Sequence, residues 1–317
     1  MSGLPSTVKV KEVGPRDGLQ SESVVLATDN KLRLIDCLGA AGLREIEATS
    51  FVSPKAIPAL ADAVEVFANL ERRPGAVYSA IVPNEKGARR AVDAEADEIQ
   101  VFLAATESYN RSNVRMSVEE SLKQSARVAE IVLKANVSFV AVISVAFGGP
   151  YEGPVSPERV LDLCGRLIEL GAGEITFGDT TGMAYPTQVR ELSASYQDRY
   201  PEVPLRLHFH NTRGMGLANV LAALEVGVDR FDASVGGLGG SPYAPGATGN
   251  ICTEDLVHML HEMGIATGVD LEALIGCARL LEGFLGHGLP GQVMKAGICG
   301  HLTERHGHHK EPRFAER

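Results

Sequence analysis

A chain of 317 residues with 44% apolar and 22% charged side chains can bury a sizeable core, which excludes a disordered or fibrous polymer. Forty acidic against 30 basic side chains give a formal charge of -10 with no basic block, so nucleic acid is excluded as a partner class. Five cysteines with no CxxC spacing indicate neither a disulfide framework nor a zinc cluster, and they suit a reducing compartment.

In chain order the pattern reads strand 8–13, helix 29–41, strand 43–48, helix 55–70, strand 77–82, helix 85–94 and strand 98–104. It continues with helix 118–134, strand 137–145, helix 157–170, strand 174–177, helix 187–198, strand 205–209, helix 215–226 and strand 231–235. Short apolar runs that alternate with longer helical patterns call for parallel strands and crossover helices, in a doubly wound sheet or a closed barrel. Polar residues stand just after successive runs: Arg16 and Asp17, Glu47, Asp179, His208 and His210, then Asn250. A barrel gathers such positions on one rim, so the expected fold is α/β, a TIM (β/α)8 barrel. Apolar helices at 256–263 and 271–285, and a glycine-containing stretch at 286–300, are expected to close the barrel and cover part of its rim. Residues 1–305 then form one catalytic domain with a C-terminal cover, and 306–317 a polar tail. The lead before Val8 leaves no room for a signal peptide, and no apolar run reaches the ~18 residues of a membrane span. The expectation is a cytoplasmic protein, bacterial or the mature part of an imported one, with no membrane partner.

His208 and His210 lie two apart in a strand, so both imidazoles face one side while Leu207 and Phe209 face the other. Asp17 adds a carboxylate. An open oxygen and nitrogen donor set without sulfur suits Mg2+, Mn2+ or another first-row divalent ion better than structural zinc. Asn250 is placed either to lend an amide oxygen near Asp17 or to cap the helix that follows it. Arg16 is either a solvated partner of Asp17 or a cation held over a reacting carbonyl, where it would stabilise an enolate. Glu47, Ser50 and Asp179 are the other rim polars, as hydrogen-bond acceptors for Arg16 and neighbouring strands or as functional groups. Cys252 and Cys277 read as core residues. Six glycines between Gly236 and Gly249 make a long loop after the eighth strand that wraps or closes over a ligand. No phosphate-binding loop, dinucleotide fingerprint or HExxH helix occurs, which leaves metal-assisted chemistry on a carbonyl compound.

The stretches Val13-Gly14-Pro15-Arg16-Asp17-Gly18-Leu19-Gln20, Glu47-Ala48-Thr49-Ser50-Phe51, Gly178-Asp179-Thr180-Thr181-Gly182, His208-Phe209-His210-Asn211-Thr212 and the loop from Gly236 to Asn250 occur in an order that covers nearly the whole chain. In them the chain resembles the TIM-barrel metal-dependent carbon-carbon lyases and acyl synthases, and within these the 3-hydroxy-3-methylglutaryl-CoA lyases. The resemblance implies cleavage of that acyl-CoA to acetyl-CoA and acetoacetate, with Mg2+ or Mn2+ held by Asp17, His208, His210 and Asn250. It implies that Asp17 and His208 move protons, that Arg16 stabilises the carbonyl and enolate, and that Glu47 and Asp179 orient this arginine and the substrate. Glu254 resembles the acid linked to the mobile loop. The family's loop carries a cysteine where this chain has Ser241. A hydroxyl is a weaker acid than a thiol, so slower cleavage or a related 3-hydroxyacyl-CoA substrate is expected. An acyl-CoA and 2-oxo acid condensing synthase and a non-catalytic CoA-ester binding protein are the alternatives; the expected partners are an acyl-CoA substrate and further copies of the chain, as a homodimer or higher homo-oligomer.

Overall fold

The computed structural model describes residues 3–240 and 249–299. Eight parallel strands close into a barrel in sequence order: β1 (Lys9–Glu12), β2 (Glu45–Ser50), β3 (Val77–Ile81), β4 (Glu98–Ala104), β5 (Ser138–Ser144), β6 (Glu174–Asp179), β7 (Leu205–Phe209) and β8 (Arg230–Ala233). Closure is made by β1 on β8, with Lys11 opposite Asp232. Outward residues of the strands pack under the helices: Phe177 meets Tyr196 edge-on at 5.4 Å, and Phe147 lies 5.9 Å from Phe209. Each such fully buried side chain contributes about 1.5–3 kcal/mol.

The crossover helices are α1 (Thr28–Ala40), α2 (Ala63–Asn69), α3 (Glu85–Asp93), α4 (Glu107–Val114), α5 (Val118–Lys134), α6 (Pro157–Glu169), α7 (Pro186–Arg199) and α8 (Gly216–Leu224). α9 (Thr253–Glu262), α10 (Leu271–Leu285) and α11 (Val293–Ala296) follow as the additional C-terminal helices. Among the described residues no helix is long and apolar enough to cross a membrane.

Two helices differ from the sequence expectation. The helix expected over 55–70 begins only at Ala63, because the buried Lys31 ammonium takes the Ala59 carbonyl and the Asp62 carboxylate, each at 2.6 Å. That carbonyl would otherwise accept the next helical N–H. α4 was not expected at all: it is short and polar, and Thr106 starts it by accepting the N–H of Tyr109. The cysteine reading also needs correction, since Cys37 on α1 and Cys277 on α10 are joined by a disulfide with Cα atoms 5.8 Å apart. Closing the ring of helices makes neighbours of two residues that lie 240 apart in the chain. Cys252 is buried and free, as a core residue should be.

The barrel floor is ionic. Lys11 and Arg206, both about 1% exposed, point inward among Glu45, Glu98 and Glu174. Lys11 Nζ lies 2.6 Å from Glu98 Oε1, Arg206 Nε lies 2.6 Å from Glu174 Oε1, and Arg206 also pairs with Glu45. Burying these charges is tolerable only because each is paired and hydrogen-bonded.

Glu12 faces outward from β1 and is completely buried. Its carboxyl accepts the N–H of Gly14 at 2.7 Å, the N–H of Val235 at 2.8 Å and the hydroxyl of Thr253 at 2.7 Å, tying together the two rim loops and the start of α9. Burial pushes this carboxyl up to about 8 from its ordinary 4.5. The folded chain therefore keeps a proton that the unfolded chain releases. The stability tied to this group is complete below about 4.5 and is lost as pH rises through about 8. The variant Glu12→Gln keeps the acceptor oxygen and replaces the proton with an amide donor, so the fall of Tm between about pH 5 and 8 should flatten. Parallel Tm curves for E12Q and the natural chain would contradict this. Glu12→Ala leaves buried donors unpaired and should cost about 2–4 kcal/mol in urea unfolding.

Candidate active site

Immediately after β1 the segment Gly14–Gly18 makes a single π-helical turn, in which the N–H groups of Arg16, Asp17 and Gly18 all converge on the Val13 carbonyl. The wide turn throws Arg16 and Asp17 together over the barrel mouth. From β7, His208 and His210 reach the same place, and Arg206, His208 and His210 form the inward row while Leu205, Leu207 and Phe209 face the helices. The two Nε2 atoms stand 3.2 Å apart, and His208 Nε2 is 4.0 Å from Asp17 Oδ2. One ligand atom from each of Asp17, His208 and His210 lies within 4.8 Å of the others.

Asn250 comes to this cluster by chain pairing. Residues 249–251 lie antiparallel against 209–211, with Asn211 N–H on the Gly249 carbonyl and Ile251 N–H on the Phe209 carbonyl, both at 3.0 Å. A Cβ on Gly249 would stand 1.7 Å from the Gly237 carbonyl oxygen, so only glycine permits this closure. Asn250 Nδ2 donates to Asp17 Oδ2 at 2.8 Å and to the Leu238 carbonyl at 2.9 Å, while its buried Oδ1 accepts no hydrogen bond. The helix-cap alternative falls away, because the residue flanking α9 is Cys252. Two imidazole nitrogens and a carboxylate meeting at one point fit a divalent cation, and Asn250, bonded to Asp17 through Nδ2, keeps a buried orphan oxygen that is costly without a partner.

Arg16 is held on two sides: its Nε is 2.6 Å from Glu47 Oε1, and its Nη1 pairs with Asp17. Burial opposes ionisation of Asp17, but Arg16, His208 and His210 outweigh it and hold the carboxyl below its ordinary range. Glu47 is dominated by burial, which pushes it up to about 7 against the pull of Arg16. The mouth opens into a cavity of about 780 Å3. Beyond the charged cluster its wall carries Ser50, Phe102, Val142 and Ser144. That volume lies in the range that holds sizeable organic ligands.

The HMGL-like family model matches residues 7–281. The chain belongs to the HMGL-like family. It is 46% identical to the hydroxymethylglutaryl-CoA lyase of Bacillus subtilis over 92% of this chain and 97% of that protein. Identity to the mitochondrial hydroxymethylglutaryl-CoA lyase of mouse is also 46%, over 87% of this chain and 85% of the mouse protein. The structure of an HMG-CoA lyase from Acinetobacter baumannii in complex with coenzyme A and 3-methylmalate superposes with a TM-score of 0.91 at 46% identity, covering 96% of this chain and 99% of that one.

Within this HMGL-like barrel the remaining sequence candidates separate. Glu47 pairs with Arg16, but Asp179 does not reach it among the described contacts. Asp179 Oδ1 instead accepts the N–H groups of Met183 at 2.8 Å and Ala184 at 3.0 Å, while burial pushes the carboxyl up to about 7. The described hydrogen bonds of Asp179 thus serve the loop after β6, and its buried Oδ2 has no hydrogen-bond partner. Glu254 grips the start of the glycine loop, accepting the N–H of Gly236 at 3.0 Å, and burial pushes it up to about 7. Ser50 donates to the Ile81 carbonyl at 3.1 Å on the cavity wall. Ser241 lies outside the described residues. Sequence reasoning passed over Gln20, which donates to Asp17 Oδ1 at 2.9 Å, and Asp232, which lines the cavity beside His208. The signal for Asp232 was its place between Phe231 and Ala233, since strand alternation puts it on the face of the histidines' neighbouring strand.

Proposed function

We propose that the chain is a metal-dependent carbon-carbon lyase that cleaves 3-hydroxy-3-methylglutaryl-CoA to acetyl-CoA and acetoacetate. The observation that carries this reading is the meeting of Asp17, His208 and His210 beside Arg16 at the mouth of one large cavity, with Asn250 bonded to Asp17. The Acinetobacter baumannii relative, solved with coenzyme A and a hydroxydicarboxylate, supports an acyl-CoA with a hydroxyl near the reacting carbon. Hard oxygen donors and imidazoles, without thiolate, favour Mg2+ or Mn2+. A bound cation supplies Lewis acidity, lowering the cost of charge on the substrate hydroxyl and thioester oxygens.

The protein groups divide the remaining work. Asp17, held ionised, takes the hydroxyl proton. As the hydroxyl-bearing carbon becomes a ketone, its bond to the carbon beside the thioester breaks, and that electron pair enters a thioester enolate. Arg16, fixed by Glu47 and Asp17, balances the developing oxyanion. Protonation of the enolate carbon then releases acetyl-CoA. Ser241 stands in the sequence where the family resemblance places a thiol for that last proton, so we read the natural chain as slower or redirected to a related 3-hydroxyacyl-CoA.

The test is product analysis with Mg2+ and a panel of hydroxyacyl-CoA esters, run beside 2-oxo acids with acetyl-CoA. Acetoacetate from the hydroxymethylglutaryl ester, formed faster by Ser241→Cys, is the expected result. Condensation alone rejects the lyase, cleavage confined to another ester replaces the substrate, and binding without any product selects a non-catalytic CoA-ester protein.

A further inference from the structure

The polar group nearest the far side of His208 is Asp232, and the mechanism above does not use it. β8 presents Arg230 and Asp232 to the barrel interior, and Asp232 is 7% exposed. Its Oδ2 lies 3.2 Å from His208 Nδ1, on the side of the ring opposite the convergence point of the two Nε2 atoms. Its Oδ1 accepts no hydrogen bond and faces Arg206 Nη1 at 3.6 Å. Arg206 cannot turn away, because Glu174 holds its Nε at 2.6 Å and Glu45 pairs with its Nη2. A continuous row therefore runs from the ionic floor through Arg206 and Asp232 to His208.

A neutral imidazole carries one proton, on Nδ1 or on Nε2. If Nδ1 lacked it, a lone pair would face a carboxylate oxygen at 3.2 Å, which is repulsive. With the proton on Nδ1, the ring donates to Asp232 and the Nε2 lone pair points into the mouth. We infer that Asp232 is a positioning residue that fixes the Nδ1–H tautomer and the ring plane of His208, with Arg206 anchoring the carboxylate from below. This rests on the metal-centre reading, since the Nε2 lone pair is what a cation needs. The arrangement requires a carboxylate instead of an amide. In Asp232→Asn the amide oxygen would turn toward the Arg206 cation and the NH2 toward His208, which selects the opposite tautomer and aims an N–H at the cation site. Carboxylate partners of ligating histidines typically change metal affinity about 10- to 100-fold when removed.

The proposal is tested on the full-length protein with Mn2+ as the probe. Mn2+ binding followed by electron paramagnetic resonance should weaken about 10- to 100-fold in D232N at unchanged circular dichroism. Asp232→Ser, smaller and without a carboxylate, serves where the asparagine variant does not fold, and should weaken binding in the same direction. Nitrogen-15 spectra of the metal-free natural chain should show the His208 proton on Nδ1, and on Nε2 in D232N. A merely structural role would leave the tautomer where it was. A natural chain with the proton on Nε2, or a folded variant that binds Mn2+ within about twofold of it, overturns the role of Asp232 alone. A natural chain that binds no Mn2+ overturns the metal centre and this inference with it, while its tautomer still shows whether the hydrogen bond exists.

Discussion

Replacing His208 and His210 together by alanine abolishes Mn2+ binding and lowers cleavage by about 10^3- to 10^5-fold, the several kcal/mol that a Lewis-acid cation supplies to an alkoxide and enolate reaction. The two imidazoles provide two of the three groups that converge at the site, and their Nε2 atoms lie 3.2 Å apart. Asp17 cannot hold a hard cation alone, because one of its oxygens is shared with Asn250 Nδ2 and the other with Arg16. Isothermal titration with Mn2+ and steady-state kinetics on the double variant check this, with circular dichroism to show that the barrel persists. Binding equal to that of the natural chain would reject the ligand set. The single variants should fall between, since each leaves one imidazole nitrogen in place beside Asp17.

Arg16→Gln is expected to reduce kcat about 10^3-fold with a smaller change in KM, since the guanidinium meets charge that develops mainly in the transition state. Its geometry explains why lysine should not restore the rate. The fork engages Glu47 through Nε and Asp17 through Nη1 at the same time, and an ammonium cannot hold both carboxylates in that plane. Loss of the cation also leaves Glu47 and Asp17 facing each other, and each is buried. Glutamine retains hydrogen-bonding capacity without charge, so R16Q separates the electrostatic role from simple packing. A kcat within about tenfold of the natural chain would assign Arg16 to structure.

Those two residues and the histidines were legible before any coordinates because the signals that mark them are local. Strand alternation alone puts His208 and His210 on the face opposite Leu207 and Phe209, and the structure keeps that alternation along β7. A polar pair placed directly after an apolar strand, as Arg16 and Asp17 are, falls on the rim of any closed parallel barrel. The helix bounds were legible where periodicity was strong, as in α10 over Leu271–Leu285, and failed at 55–62, where a lysine from another helix captures a backbone carbonyl.

The sequence by itself determined the eightfold strand and helix alternation, the direction of the HxH pair and the order of the rim motifs, because each depends on neighbours a few residues apart. Only the tertiary structure decided which rim groups touch. Asn250 meets Asp17 across 233 residues of chain, Glu12 grips Thr253 across 241, and Arg206 pairs with Glu45 across 161. Asp179 turned to its own loop although it shares the rim with Arg16, and Cys37 found Cys277 only when α1 came to lie on α10. The physical reason is closure: pairing β1 with β8 makes neighbours of the two ends of the barrel, and no local pattern records which side chains that seam presses together.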